Sequence, residues 1–168
     1  MRKIGLLSDT HSYLDPKVFE HFKDCDEIWH GGDIGDIKII DELNKFKTTK
    51  FIWGNIDDQL IRRTVPETQI LEIEQHKILM IHIAGKFGSY TTQTRELIKQ
   101  HEPTILVCGH SHILKIAFDK KYNLLYMNPG AYGISGFHPI RTMLRFTIDK
   151  KEIKQLEIIE SPKTLKQS

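Results

Sequence analysis

Residues 3–11 read KIGLLSDTH, and this segment sets the pattern on which the fold prediction rests. Its apolar first part is typical of a short strand buried on both faces, and Asp9 and His11 follow where that strand ends. The same arrangement returns at residues 27–33, EIWHGGD, and at residues 49–55, TKFIWGN. The first third of the chain therefore predicts three buried strands that each lead into glycines and polar side chains.

Amphipathic helices are predicted between these strands. Asp15 is a favourable N-cap with Pro16 as the first helical residue, and Asp36 caps a second helix whose buried stripe is Ile39, Ile40, Leu43 and Phe46. This alternation of strands and helices predicts a parallel sheet with a crevice at the carboxyl ends of its strands. Asp36 has a capping role, whereas Asp33 follows two glycines that leave room to approach a ligand. We therefore choose Asp33 as the site residue.

The hydrophobic pattern changes after residue 68, from continuous apolar runs to alternation. Alternating apolar residues at 69–74 and 77–82, around a turn at residues 75–76, predict an antiparallel hairpin whose second strand ends at His82. A helix is predicted from Thr91 or Thr92 to a point before Pro103. Another buried strand, residues 105–108, then leads directly into Gly109-His110-Ser111-His112.

The remaining sequence predicts antiparallel strands at residues 113–118, 121–127, 142–148 and 152–159, with a turn at residues 128–130. Parallel units followed by antiparallel strands suggest two sheets packed face to face with helices outside. Since no repeat, low-complexity tract or linker interrupts the pattern, we predict one domain, residues 1–168, of the mixed α/β class.

Composition limits the partners and the compartment. Lysine and arginine number 24 against 22 aspartates and glutamates, so no basic surface for nucleic acid is expected. No window approaches the roughly 20 apolar residues of a membrane span, so no membrane partner is expected either. Cys25 and Cys108 are far apart and form no C-x-x-C motif, which indicates a reducing environment. We predict a cytoplasmic protein.

Metal chemistry is indicated by the polar side chains at the ends of separate strands: Asp9, His11, Asp33, Asn55, His82, His110 and His112. Each alone has a structural explanation, but their joint recurrence does not. Seven potential ligands exceed one tetrahedral zinc site and suit two metals that share a carboxylate. Mixed nitrogen and oxygen ligands favour transition metals over Mg²⁺ or Ca²⁺. We predict two divalent ions, with Mn²⁺ as first choice and Fe, Ni, Co or Zn as alternatives.

Five motifs in this order resemble the signature of the calcineurin-like metallophosphoesterases: Asp9-x-His11, Gly32-Asp33, Gly54-Asn55-x-Asp57, His82 and Gly109-His110-x-His112. The resemblance is closest to the small prokaryotic YfcE-type phosphodiesterase branch and extends from residue 3 to the end of the chain. It implies a four-layer αββα sandwich of two mixed sheets flanked by helices. The metals would lie between the ends of the two sheets.

The resemblance also implies how the ligands divide. One metal would be held by Asp9, His11 and His112, the other by Asn55, His82 and His110, and Asp33 would bridge them. Catalysis is assigned to Asp33, Asn55 and His110, which act through the metals and a bridging hydroxide that attacks phosphorus. We expect a phosphodiesterase for small phosphodiesters. A non-catalytic interaction scaffold on this fold, similar to a retromer subunit, and a nuclease remain as alternatives.

Departures from the family pattern concern the substrate. Many members have a histidine directly after the Gly-Asn pair, where it can protonate the leaving group, and this chain has Ile56. Four residues are predicted to contact the substrate, namely Asp57, Tyr132, His138 and Arg141. Cyclic nucleotides, other small diesters and monoesters all remain open as substrates, and a homodimer that buries an edge strand is a further expectation.

Overall fold

The computed structural model describes residues 1–164, which contain four helices and twelve strands. In chain order these are β1 (Arg2–Leu7), α1 (Lys17–His21), β2 (Glu27–His30), α2 (Ile37–Phe46), β3 (Thr49–Phe51), α3 (Gln59–Thr64), β4 (Thr68–Ile73), β5 (His76–Ile81), β6 (Gly85–Lys86), β7 (Ser89–Tyr90), α4 (Thr92–His101), β8 (Ile105–Val107), β9 (Leu114–Asp119), β10 (Leu124–Pro129), β11 (Ile140–Asp149) and β12 (Glu152–Pro162). The predicted domain extends to residue 168, and residues 165–168 lie outside the described part.

Ten of these strands form two mixed sheets. The first has the order β12-β11-β1-β2-β3, in which β1, β2 and β3 are parallel and β11 runs antiparallel to β1. The second has the order β4-β5-β8-β10-β9, in which β5, β8 and β10 are parallel and both outer strands are antiparallel. Strands β6 and β7 form a separate hairpin. The predicted parallel βαβ units at the start of the chain are confirmed.

Three apolar clusters separate four layers. Helices α1, α2 and α3 pack on the first sheet through residues such as Phe22, Leu43 and Ile61. The two sheets pack face to face around Trp29 and Met80 and their neighbours. Helix α4 packs on the outer face of the second sheet. Because alternate side chains of a strand point to opposite faces, the central strands supply two clusters each and read as continuous apolar runs. The predicted αββα sandwich is confirmed.

Local signals at helix ends agree with the structure in most places. The Asp36 carboxylate accepts a hydrogen bond from the Lys38 backbone N–H, and the Thr91 hydroxyl accepts one from Thr94. The prediction for α1 is wrong by one residue, because Pro16 is itself the N-cap. Helices α2 and α4 are the longest, with ten residues each, and no helix within residues 1–164 meets the requirements of a membrane span.

Two further predictions need correction, and two elements of the fold were not predicted. The segment 128–130 is not a free turn, because Asn128 and Pro129 are the last residues of β10 and pair with β9. The turn between β4 and β5 lies at residues 74–75, one position earlier than expected. Helix α3 and the β6–β7 hairpin had no counterpart in the sequence prediction. Both are too short for a periodic pattern, since α3 buries only Ile61 and each hairpin strand has two residues.

Candidate metal centre

Six side chains at the carboxyl ends of strands form two groups, and the ligand atoms within each group lie within 4.8 Å of one another. The first group is Asp9, His11 and His112, and the second is Asp33, His82 and His110. Strands β1 and β2 of the first sheet and β5 and β8 of the second lead into these residues. The site is therefore assembled from both sheets, at the edge where their parallel strands end.

Asp33 is the side chain that connects the two groups. Its Oδ2 lies 3.4 Å from His11 Nε2 and 3.2 Å from His82 Nε2, so one oxygen faces a histidine of each group. The other oxygen, Oδ1, accepts a hydrogen bond from the Ile56 backbone N–H at 3.1 Å. Asn55 lies beside the second group, with its Oδ1 2.9 Å from His110 Nδ1. All seven predicted ligands thus lie around one centre.

Asp9 is held in an orientation that aims one oxygen into the centre. Its Oδ2 accepts hydrogen bonds from the Ser8 hydroxyl at 2.6 Å and from the His110 backbone N–H at 3.1 Å. Its Oδ1 lies 3.2 Å from His112 Nε2 and 3.8 Å from His82 Nε2. One oxygen therefore fixes the carboxylate, and the other is left for a ligand.

The donor atoms of this centre fit divalent metal ions. Asp9 Oδ1, His11 Nε2 and His82 Nε2 are buried, and none of them has a hydrogen-bond partner within residues 1–164. An unpaired buried polar atom costs roughly 1–3 kcal/mol, and an ion would remove that cost. Nitrogen and oxygen ligands about 2.1 Å from an ion stand roughly 3–4 Å apart, and the contacts of 3.2 to 3.8 Å agree with that spacing.

Electrostatics within the centre keep its carboxylates charged. Burial alone would raise the pKa of Asp9, but contacts with His11 and His112 hold it well below the usual range. The pKa of Asp33 is likewise lowered, since His11 and His82 outweigh the effect of burial. The pKa of His11 is raised to about 9 by the neighbouring carboxylates of Asp33 and Asp9. The carboxylates of the centre thus favour protons on the neighbouring imidazoles, and a bound cation would replace those protons.

Hydrogen bonds to backbone carbonyls fix which imidazole nitrogen faces the centre. His82 Nδ1 lies 2.7 Å from the Gly31 carbonyl oxygen, which can only accept, so Nδ1 carries a hydrogen and Nε2 is the nitrogen that faces the carboxylates. His138 Nε2 lies 2.8 Å from the Gly133 carbonyl oxygen and must donate in the same way. Both rings are therefore held in one orientation by main-chain acceptors.

The contact between His138 and His112 extends this control to a predicted metal ligand. Burial lowers the pKa of His138 and favours the neutral ring, so its Nδ1 is an acceptor. His112 Nδ1 lies 3.2 Å away and must be the donor of that hydrogen bond. The lone pair of His112 then belongs to Nε2, the atom that faces Asp9 Oδ1. His138 thus orients a ligand from outside the centre.

The backbone at this centre adopts a conformation that side chains other than glycine rarely take. Five of the predicted ligands have positive φ, namely Asp9 (54°), His11 (45°), Asp33 (53°), His110 (70°) and His112 (60°). Such conformations concentrate at functional sites, where the surrounding structure enforces them. Left-handed residues on both sides of Ser111 let one short turn direct His110 to one group and His112 to the other.

Two glycines permit the close approach of the loops. A Cβ atom at Gly54 would lie 2.1 Å from Asp33 Oδ1, and one at Gly109 would lie 2.6 Å from Asp9 Oδ2. Both distances are far below van der Waals contact. Any side chain at either position would displace a carboxylate of the centre.

All four predicted substrate contacts are buried, and each has partners within the protein. The Asp57 carboxylate accepts hydrogen bonds from the backbone N–H groups of Ile34, Gly35 and Gly54, and so joins two loops of the centre. Tyr132 is fully buried, and its hydroxyl lies 2.8 Å from Ser161 Oγ. These partners occupy polar atoms that a substrate would need, so both side chains have structural roles here, and their contact with a substrate stays a prediction.

Arg141 and His138 are likewise buried and have partners within the protein. The Arg141 side chain is 2% exposed, and its guanidinium forms an ion pair with Asp15 at 2.9 Å. It lies over the Tyr132 ring and donates hydrogen bonds to the backbone carbonyls of Tyr132 and Pro162. His138 is 6% exposed, contacts His112 and lines a cavity of about 590 Å³ beside it. Tyr132 and His138 are thus buried side chains of the loop before β11, whereas residues 134–137 of this loop are exposed.

His30 is a supporting residue that the sequence analysis did not single out. It is fully buried at the end of β2, where its Nδ1 accepts a hydrogen bond from the Gly32 backbone N–H and its Nε2 lies 3.0 Å from Thr10 Oγ1. Thr10 in turn donates to the Ile34 carbonyl. Burial lowers the pKa of His30 to about 4, so the ring is neutral. The sequence signal for this role is the position of His30 directly before Gly31-Gly32-Asp33.

Two cavities open on either side of the centre. The lysine-lined cavity, about 470 Å³, borders His110 and is formed by Ile83, Ala84, Lys86, Phe87, Lys115 and Tyr126. The apolar cavity, about 590 Å³, borders His110 and His112 and is formed by Leu114, Phe137, Pro139 and Ile140. Ser111 and Ile113 line both cavities and form a ridge between them. The sequence analysis missed the first cavity because the β6–β7 hairpin that supplies Lys86 was not predicted.

Comparison with known proteins agrees with this geometry. The calcineurin-like phosphoesterase superfamily domain matches residues 2–151. A probable metallophosphoesterase of Methanocaldococcus jannaschii is 32% identical, over 94% of this chain and 82% of the relative. A phosphodiesterase of the same organism is 26% identical, over 76% of this chain and 82% of the relative.

Solved structures give the same fold at lower identity. An archaeal phosphodiesterase superposes with a TM-score of 0.74 at 22% identity, over 94% of this chain and 99% of that chain. Vps29 of Chaetomium thermophilum superposes with a TM-score of 0.74 at 13% identity, over 98% of this chain and all of that chain. The family resemblance stated from the motifs is therefore confirmed. With a domain match over most of its length and two metal-ligand groups in place, the chain belongs to the metal-dependent calcineurin-like phosphoesterase superfamily.

Proposed function

We propose that this protein is a dinuclear phosphodiesterase that hydrolyses small phosphodiesters. The observation that carries the proposal is the position of Asp33 Oδ2, which faces a histidine of each ligand group at 3.4 and 3.2 Å. A carboxylate so placed suits two ions a few ångströms apart, the arrangement that clamps attacking and leaving oxygens in phosphoryl transfer. Mn²⁺ is the first ion to test, with Fe, Ni, Co and Zn as alternatives.

The residues of the chain have separate parts in this reaction. Asp9, His11 and His112 would hold one ion, while Asn55, His82 and His110 would hold the other, and Asp33 would contact both. When bound, two ions would supply a nucleophile at neutral pH and would neutralise charge on the phosphoryl oxygens. His110 is exposed and borders both cavities, so it lies next to the position of the reacting phosphate. His82 and Asp33 are buried, so they would contact the ions from the interior of the protein.

The direct test of this function is hydrolysis of bis(p-nitrophenyl) phosphate by protein loaded with Mn²⁺. We expect saturable turnover that a chelator abolishes and that added Mn²⁺ restores. A protein that retains no metal and hydrolyses no diester would instead favour the interaction scaffold. A protein that cuts oligonucleotides more readily than small diesters would favour a nuclease. The likeness to Vps29 concerns the fold and does not choose among these functions.

Leaving-group chemistry gives a second prediction, because Ile56 occupies the position where many family members have a histidine. Its side chain is 46% exposed beside Asn55 and can donate no proton. A general acid contributes roughly 10²–10⁴-fold to such reactions. We therefore expect aryl diesters, whose leaving groups need no proton, to react far faster than alkyl diesters. The measurement is a plot of log kcat against leaving-group pKa.

The variant Ile56→His supplies the matched comparison. A histidine at this exposed position would stand where the leaving oxygen can be protonated, so alkyl diesters should gain rate and aryl diesters should change little. The expected result is a shallower dependence of kcat on leaving-group pKa. Equal wild-type rates for aryl and alkyl diesters would contradict the argument from Ile56.

The orientation of His112 by His138 leads to a third prediction. In His138→Phe the ring volume is kept, but the acceptor for His112 Nδ1–H is lost, so the imidazole is free to rotate. Outer hydrogen bonds of this kind are worth roughly 10–100-fold in metal affinity. Calorimetric titration with Mn²⁺ should show that one of two ions binds 10–100-fold more weakly, while the other is unaffected. Unchanged affinity at both sites would remove His138 from this role.

A further inference from the structure

We infer that the lysine-lined cavity binds the arm of the diester that carries an aromatic ring together with a second negative charge, as a nucleotide unit does. This inference rests on the proposed function and names the substrate class for the same site. Three independent features of the cavity support it: an aromatic platform, an uncompensated pair of lysines and a position across a ridge from an uncharged cavity.

The aromatic platform is Phe87, in the turn that joins β6 to β7. Phe87 is 36% exposed, and its ring meets the Tyr126 ring edge to face, with the centroids 5.6 Å apart. Tyr126 is nearly buried and belongs to β10, so it supports Phe87 from a rigid sheet. Ile83 and Ala84 add apolar surface beside these rings. A flat ring can therefore stack on Phe87, the way in which proteins bind bases without reading their edges.

The charge of the cavity is positive. The Lys115 ammonium lies over the Phe87 ring in a cation–π contact, 5.4 Å from its centroid, and Lys86 is the residue directly before Phe87. Neither lysine forms an ion pair within residues 1–164, and the cavity has no carboxylate in its lining. Two uncompensated cations beside an aromatic platform would attract a ligand that is both flat and anionic. A phosphate attached to the ring-bearing arm has this chemistry.

The ridge at Ser111 and Ile113 explains why two arms are bound separately. A diester has two organic arms, and with phosphorus at the metal centre they must extend to different sides. The apolar cavity across the ridge is formed by residues such as Phe137 and Ile140, and no lysine or carboxylate lines it. An anionic arm is thus directed to Lys86 and Lys115, and an uncharged arm to the apolar cavity. Both cavities have volumes typical of small-molecule sites.

Equilibrium binding of two nucleotides tests this inference apart from turnover. Thymidine 5′-monophosphate and thymidine 3′,5′-bisphosphate are titrated into Mn²⁺-loaded protein by calorimetry. We expect the bisphosphate to bind roughly 10-fold more tightly, because its second phosphate meets Lys115. Phe87→Ala should weaken both ligands by roughly 10-fold through loss of stacking. Lys115→Ala should weaken only the bisphosphate, to the level of the monophosphate.

Matched controls are Phe118→Ala and Lys120→Ala, which alter an exposed ring and an exposed lysine that line neither cavity. Both should bind the two nucleotides as the wild type does, and melting temperatures confirm that all variants fold. If wild-type protein hydrolyses bis(p-nitrophenyl) phosphate but the Phe87 and Lys115 variants bind both nucleotides normally, the inference is wrong and the proposed function stands. If the binding pattern holds without any hydrolysis, the cavity assignment stands and the proposed function fails.

Discussion

Asp33→Ala is expected to abolish the hydrolysis of bis(p-nitrophenyl) phosphate, with a loss of roughly 10³-fold or more. The Asp33 carboxylate is 3% exposed and its Oδ2 faces His11 and His82, which belong to different ligand groups. Truncation therefore removes an oxygen from both metal sites at once. It also removes the anion that raises the pKa of His11 and His82. Both rings should then bind protons less tightly, and both metal sites lose an anionic ligand.

Metal content distinguishes this explanation from simple unfolding. Wild-type protein should retain two equivalents of Mn²⁺ after dialysis, and Asp33→Ala should retain fewer, with its melting temperature in the metal-free state little lowered. The matched control is Asp36→Ala, an aspartate three residues later whose side chain caps α2 through Lys38. Loss of that cap costs about 1 kcal/mol of stability and should leave kcat unchanged. An Asp33→Ala enzyme with wild-type kcat would refute the site assignment.

The sequence predicted that these polar side chains lie close together, because the signal for this is local to the strand ends. Continuous apolar runs such as residues 4–7 and 105–107 identify buried parallel strands, and the side chains that follow them meet at one edge of the fold. The approach of the second sheet to the first is not encoded in any one segment. The approach of the two sheets could be predicted only because the candidate ligands that follow β5 and β8 complement those that follow β1, β2 and β3.

Side chains near the motifs were harder to assign. Asp57 belongs to a family motif and Arg141 follows a glycine-containing loop, and nothing in the local sequence of either distinguishes a substrate contact from an interior one. The difference lies in partners that are distant in sequence: backbone N–H groups of the Asp33 loop for Asp57, and Asp15 for Arg141. His138 is a similar case, since its role depends on a contact with His112. The surroundings of Asp57, Arg141 and His138 are therefore set by tertiary contacts, which the local sequence does not show.

Arg141→Ala is expected to destabilise the fold strongly while the chemistry of the metal centre is preserved. The guanidinium is buried against Asp15 at 2.9 Å, donates to the Tyr132 and Pro162 carbonyls and stacks on the Tyr132 ring, whose centroid is 4.8 Å away. Removal of one partner of a buried ion pair leaves an uncompensated charge, here on Asp15, and costs about 3–5 kcal/mol. For a domain of this size the melting temperature should fall by about 10 °C.

Arg145→Ala is the matched control, because Arg145 lies on the same strand but is 33% exposed and pairs with the exposed Glu157. Exposed pairs contribute at most about 1 kcal/mol, so this variant should melt within a few degrees of the wild type. Below the transition, Arg141→Ala should retain the wild-type KM for bis(p-nitrophenyl) phosphate. The substrate-contact hypothesis makes the opposite prediction, a raised KM with an unchanged melting temperature. The two measurements together therefore decide whether Arg141 supports the loop that positions His138 or binds phosphate itself.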